Sequence, residues 1–240
     1  MISFSAFGQN VLHYTETSGF DHGTRDASLT MFVAIATELG LTVTSDNDGS
    51  SFSSLTTLQQ FSAIVFSNTS GADLLDAAQR TNFEAYIAGG GCAMGIHAAS
   101  NTYRHSTANG NTTGAWDFYA ELMGASVQEN PNHVSGTPLH DLSHIGTHAS
   151  ATNLPDPCAK NEEYYYWEGG YYRDDNIPVL QVEQTVGPNG EVNSYDAPRP
   201  MSWYRELPEG GRIFYTALGH AGSNYPDDVL FRQHIEDALL

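Results

Sequence analysis

Lysine is almost missing from this chain: Lys160 is the only one in 240 residues. Lys and Arg together number nine against 28 acidic residues, a net charge of −19. That surplus repels phosphate backbones and anionic lipid headgroups, so nucleic acids and membrane surfaces are excluded as natural partners. Cysteine is nearly as scarce. Cys92 and Cys158 are too few for a disulfide framework, and Cys92 falls inside an apolar run, which predicts two inert thiols with Cys92 buried and reduced. No stretch approaches the roughly 20 apolar residues of a membrane span. Residues 1–10 also lack the basic segment and apolar core of a signal peptide.

What is abundant is Ser, Thr, Asn and Gly, a composition shared by secreted and salt-adapted chains. A secreted or periplasmic location is the expectation, with the cytoplasm as the alternative. Because the sequence stops at Leu240 inside an amphipathic pattern, it reads as one module of a longer protein. With 40% hydrophobic residues, positions 1–240 hold enough apolar surface for one large core and a single domain.

Asn10–Tyr14 is a short apolar run entering a polar loop, which predicts a first strand. Leu29, Phe32, Val33, Ala36 and Leu39 then recur at helical spacing, and Gly40 supplies the left-handed residue past the last turn. A brief strand at 41–44 precedes residues 63–66 (AIVF), a continuous apolar run of the kind covered on both faces. A helix is expected at 76–88 with Phe83 and Ile87 inward, and Cys92–Ile96 is the next buried strand, adjacent to 63–66. This alternation predicts an α/β fold, a three-layer sandwich with a mainly parallel central sheet. The second half is less regular. It offers a helix at 115–123, a His-rich stretch at 133–148 read as loop, and an aromatic segment at 164–172. Strands at 179–183, 201–205 and 212–216 and a closing helix at 228–240 follow.

In open parallel sheets reactive groups collect in the loops beyond the carboxyl ends of the strands. Four such junctions hold polar groups, at 17–22, 68–71, 95–99 and 217–220. Three carry a histidine: His22, His97 and His220. One such residue is usually structural, but three at separate junctions of one sheet point to a shared site.

The ordered series TSGFDH, FSNTSG, GGGCAMGIHAAS, NEEYYYW and GRIFYTALGH resembles the motif series of the trehalose-utilisation (ThuA-like) family, from about residue 10 to 240. The resemblance implies a flavodoxin-like, class I glutamine-amidotransferase-like fold, in which a strained strand-to-helix turn presents the nucleophile. Here that turn carries His97 in place of cysteine, and Cys92 lies five residues earlier inside the strand. Amidotransferase or peptidase chemistry of the Cys-His type is therefore excluded. The family's acidic-aromatic motif maps onto Glu162, Glu163, Tyr164 and Tyr165, with Glu162 in place of Asp and Tyr164 in place of Trp. The family context implies carbohydrate utilisation.

His97 is expected to act as general base or acid, since imidazole titrates near neutrality, and Glu163 supplies a complementary carboxylate. Ala98, Ala99 and Ser100 predict a helix starting close to the strand end, whose positive terminus favours the neutral ring. Candidates for contacting substrate are Thr17, Asn68, Thr69 and Arg205, with Tyr164, Trp167 and Trp203 presenting rings to sugar faces. Tyr165, Tyr166, Tyr171 and Tyr172 extend that aromatic concentration, which an alternating edge strand explains equally well.

His133, His140, His144 and His148 match no compact metal site by spacing and read as solvated loop residues. A zinc site from His22, His97, His220 and Glu163 is chemically more sensible, though no cofactor is assured. A sugar- or keto-sugar-processing enzyme is the leading reading, acting on a small-molecule or oligosaccharide substrate. Its rivals are a non-catalytic carbohydrate-binding module and a zinc-dependent hydrolase. The last requires three of the named side chains to meet at about 2.0–2.2 Å from one ion. The oligomeric state is left open.

Overall fold

The computed structural model describes residues 10–105, 115–169 and 172–240; Tyr171 lies outside the described residues. Its strands are β1 (Asn10–Tyr14), β2 (Thr42–Asp46), β3 (Ala63–Ser67), β4 (Cys92–Ile96), β5 (Leu139–His144), β6 (Cys158–Asn161), β7 (Ile177–Val182), β8 (Arg199–Glu206) and β9 (Arg212–Thr216). Its helices are α1 (Arg25–Leu39), α2 (Leu55–Leu58), α3 (Ala77–Ala88), α4 (Asp117–Met123), α5 (Ala149–Thr152), α6 (Asn224–Asp227) and α7 (Val229–Leu239).

Among the described residues the nine strands join one sheet in the order β2-β1-β3-β4-β9-β8-β7-β5-β6. From β2 to β9 every pairing is parallel, and from β9 to β6 every pairing is antiparallel. The mainly parallel sheet expected from the sequence is thus corrected to a mixed one. Between β8 and β9 the short 207–211 connection makes a hairpin, where a parallel return needs a longer crossover. As expected, β3 and β4 are adjacent and interior, and their apolar runs are buried. His13 packs on Ser28 and Phe32 of α1, whereas its neighbour Tyr14 packs on Phe52 and Phe66. Successive strand residues point to opposite faces, so α1 covers one side of the parallel half. The Phe52–Phe66–Phe83 cluster, which includes a side chain of α3, covers the other.

Local signals fix the helix ends. Gly40 takes φ 70 at the end of α1. Asp76 accepts from Ala78 and Gln79 N–H while the Gln79 side chain accepts from Asp76 N–H, a capping box that starts α3.

Two further expectations change. The 133–148 stretch is not all loop, since β5 pairs with both β6 and β7. Only Leu142 of its six residues is buried, so the polar composition reflects a strand wetted on one face. Cys92, expected to be buried, is half-buried at the open start of β4, and Cys158 is the buried thiol. Both are free. Among the described residues no helix is long and apolar enough to cross a membrane.

Two buried histidines give the fold a pH dependence. His13 bonds Ser28 Oγ at 2.8 Å, and His234 spans Ser202 Oγ and the Ser150 carbonyl, each at 2.8 Å. Burial, assisted at His13 by the Arg25 charge, pushes both down to about 4. Below about pH 6.5 the unfolded chain takes up protons that the folded state refuses. Stability present above that pH is therefore lost progressively toward pH 4. Between about pH 6.5 and 5 the loss should be about 2 kcal/mol for each of the two. Urea denaturation over that range checks this, with His234→Gln flattening its share of the slope.

Candidate functional site

The parallel half sets the site. β1, β3, β4 and β9 are neighbours, so the loops leaving their carboxyl ends emerge side by side. Single bridges continue the pairing beyond the strands, Thr17 to Ser70 and Gly71 to Thr102. Gly71, at φ 96, lets the loop after β3 lie directly against Ser18 and Gly19, where any Cβ would collide. His22, His97 and His220 arrive from three of these loops.

Glu163 comes from the other half. After β6 the chain runs extended, held by Val134 N–H to the Tyr164 carbonyl and by Tyr166 N–H to the Asn132 carbonyl. The Glu162 carboxylate accepts N–H groups from Gly219 (2.8 Å), His220 (3.1 Å) and its own neighbour Glu163 (3.1 Å). Lys160 lies 3.7 Å from Glu162 and also pairs with Asp228. This buried acid clamps the β6 and β9 loops together and sets Glu163 among the histidines.

His97 is the first residue past β4 and takes φ 48, an uncommon conformation for a residue with a Cβ. The expected α-helix after it is instead a five-residue 3-10 turn, His97–Asn101, which removes the helix-dipole argument for a neutral ring. Its orientation comes from Nδ1, which donates to the Ala217 carbonyl at 2.6 Å. Nε2 then faces Glu163 Oε2 (3.2 Å), Tyr165 OH (2.9 Å) and His220 Nδ1 (3.3 Å). Glu163 Oε2 is also 3.3 Å from His220 Nδ1 and 4.0 Å from His22 Nε2. The four predicted residues thus meet at one point, with one ligand-capable atom each, all within 4.8 Å of one another. Such a set can hold a metal ion or relay protons.

Burial alone would raise the Glu163 carboxyl, but the imidazoles of His22, His220 and His97 outweigh it and hold it far below the carboxylate range. His220 is raised, first by its hydrogen bond to Glu163. His22 is lowered, because burial outweighs that same carboxylate.

Two residues of the site escaped sequence reasoning. His133, counted with the solvated loop, donates from Nδ1 to the Val134 carbonyl (2.7 Å) and places Nε2 3.1 Å from Glu163 Oε1. Phe20 is 68% exposed, with its ring 4.8 Å from that of His22. A large apolar residue inside the polar TSGFDH loop was the available signal. His140 and His148 lie elsewhere, on Glu183 and at the start of α5.

The candidate substrate contacts are distributed differently. Thr17 is half-buried beside Ser70. Thr69 is buried against Thr102. Asn68 is buried at φ 53 and ties three loops, its amide reaching Thr24, Gly219 and Tyr225 while its oxygen accepts from Ala98 N–H. Tyr164, Trp203 and Arg205 are buried, and Trp167 is half-buried. Their polar atoms bond Lys160, Met123, Leu122 and Pro200 carbonyls, so the structure places these four in the core and not on a sugar-facing surface.

A cavity of about 680 Å³ adjoins the cluster at His220 and is lined by Lys160, Asn161, Ser223, Asn224 and Asp228. A second, of about 550 Å³, lies at the opposite ends of the strands, against Val11, Cys92 and Leu239.

A family model described as trehalose utilisation, ThuA, matches residues 10–240. Among solved structures, a putative ThuA-like protein from Bacteroides uniformis superposes with a TM-score of 0.68 at 17% identity, covering 98% of this chain and 92% of its own. A putative ThuA-like protein from Parabacteroides merdae gives 0.67 at 14%, covering 96% and 88%. A Salmonella typhimurium protein described as cytoplasmic gives 0.60 at 12%, covering 95% and 97%. At these identities the likeness shows the fold. No curated protein is a significant match.

Asn68→Ala should cost about 2–3 kcal/mol, since it strips partners from buried groups on three loops and leaves an alanine at positive φ. The denaturation midpoint measures it, and Asn68→Gly, which relieves the backbone, should cost no more than the alanine variant.

Proposed function

The chain belongs to the trehalose-utilisation (ThuA) family, which ties it to a carbohydrate-related role, and from that premise we propose that it is a sugar- or keto-sugar-processing enzyme. Its active centre is His22, His97, Glu163 and His220. The observation that carries this reading is the meeting of these four side chains at the carboxyl ends of the parallel strands. Glu163 is the carboxylate of the centre, with its position fixed by His97 on one oxygen and His133 on the other. The adjoining cavity falls within the size range of small-molecule sites, and its Asn, Ser, Lys and Asp side chains suit hydroxyl groups. A carbohydrate-binding module would carry its rings on an open surface. Here most of the aromatic segment is core, and the exposed ring beside the cluster is Phe20, which is placed to cover one face of a bound sugar.

Hydrolysis and isomerisation both need a proton moved at an oxygen or carbon of the sugar, and a carboxylate among imidazoles serves either. Of the two possible second carboxylates framing a glycosidic bond, Glu162 has its oxygens engaged by three backbone N–H groups and Asp21 is exposed and accepts from Gly23 N–H. That favours processing of an oxidised sugar, whose carbonyl acidifies its neighbours, over direct acid-catalysed cleavage. For compartment, the secreted reading rests on composition, whereas two Salmonella neighbours are described as cytoplasmic.

Purified protein should be assayed against trehalose, other disaccharides and their 3-keto forms. Glu163→Gln should lower turnover by roughly 10²-fold or more while the protein stays folded. Turnover unchanged in a folded Glu163→Gln protein would remove Glu163 from the mechanism.

A further inference from the structure

We propose that the His22–His97–Glu163–His220 cluster binds one divalent transition-metal ion, zinc by the nature of its donors, and that this ion is the electrophile of the reaction. The inference rests on the proposed active centre for its catalytic part and on geometry alone for the binding part. A tetrahedral ion at about 2.0–2.1 Å from each ligand requires its ligand atoms to lie about 3.3–3.4 Å from one another. Three of the four atoms form such a triangle. His97 Nε2 to Glu163 Oε2 is 3.2 Å, His220 Nδ1 to Glu163 Oε2 is 3.3 Å, and His97 Nε2 to His220 Nδ1 is 3.3 Å. His22 Nε2, 4.0 Å from Glu163 Oε2, closes the set.

The surrounding contacts prepare these atoms as ligands. The Nδ1–H of His97 is committed to the Ala217 carbonyl, which fixes the tautomer and turns the Nε2 lone pair inward. Glu163 Oε1 is held by His133, leaving Oε2 for the ion. With no proton of its own in that tautomer, Nε2 faces Glu163 Oε2, the Tyr165 hydroxyl and His220 Nδ1 at once. One cation at the centre satisfies all four donors together. Three neutral imidazoles and one carboxylate also leave a net charge of only +1 on the filled site, which its half-buried position tolerates. Bound zinc supplies a Lewis acid that polarises a sugar carbonyl or hydroxyl oxygen.

The full chain should be stripped with chelator, checked for fold by circular dichroism, and titrated with zinc chloride by calorimetry. Cobalt(II) titration followed by visible absorption gives an independent readout of tetrahedral coordination. The expected result is one ion per chain, with Glu163→Gln and His220→Ala each weakening binding by at least about 10-fold. His140→Ala, outside the cluster, should bind as wild type does. A folded wild-type protein that takes up neither ion stoichiometrically overturns the site, as does a His220→Ala protein that binds as tightly as wild type. Turnover that survives complete removal of metal overturns the ion's catalytic role and leaves the sugar-processing reading intact. Stoichiometric zinc with no sugar turned over overturns that reading and leaves the metal site standing.

Discussion

Where the sheet's parallel and antiparallel halves meet at the site, the Glu162 carboxylate ties the loops of one to the other. Glu162 sits just past β6, in the antiparallel half, yet two of its three backbone donors belong to the loop after β9 in the parallel half. Burying a charge costs several kcal/mol unless it is paired and hydrogen-bonded. Three N–H groups and the Lys160 ammonium meet that demand. Burial would raise the neighbouring Asp228 carboxyl, but Lys160 and the Phe231 N–H hold it low, so the ammonium is shared between two acids. The clamp places two members of the cluster. It fixes His220 through the backbone and presents Glu163, the next residue, to imidazoles delivered by three other loops.

The parallel half was legible in the sequence because its inner strands β1, β3 and β4 are buried on both faces. Residues 63–66 and Cys92–Ile96 have no polar alternation to confuse, and their flanking helices carry readable caps such as Asp76 and Gly40. The antiparallel half was harder for a physical reason. β5 buries Leu142 alone, and β6 alternates buried and exposed residues over only four positions, so neither offers an apolar run. What reads as a mainly parallel sheet from the first half becomes mixed once these short, wetted strands are added.

The site was legible to the same extent. His22, His97 and His220 stand at strand ends, where a parallel sheet gathers chemistry, and Glu163 came from the family motif. His133 was not legible, because its approach to Glu163 depends on a single bridge between the 133 and 165 positions that no local pattern announces. The aromatic residues show the reverse error. Trp203 and Trp167 have polar edges suited to a sugar, but those edges are spent on the Met123 and Pro200 carbonyls, which is how a core admits an indole. Composition counts rings without saying which way their N–H groups point.

The lone lysine has a consequence for proteolysis. An endoproteinase that cuts after lysine finds one bond in the chain, Lys160 to Asn161, inside edge strand β6 and with the lysine side chain buried in its ion pairs. A protease needs several residues in extended, accessible form, so the native strand is not a substrate until β6 lifts from β5 and Glu162 leaves its donors. Where that opening is fast relative to cleavage, the cutting rate counts the fraction of molecules in which β6 has lifted from the sheet edge. One scissile bond, placed beside the clamp, makes the chain a gauge of its own integrity.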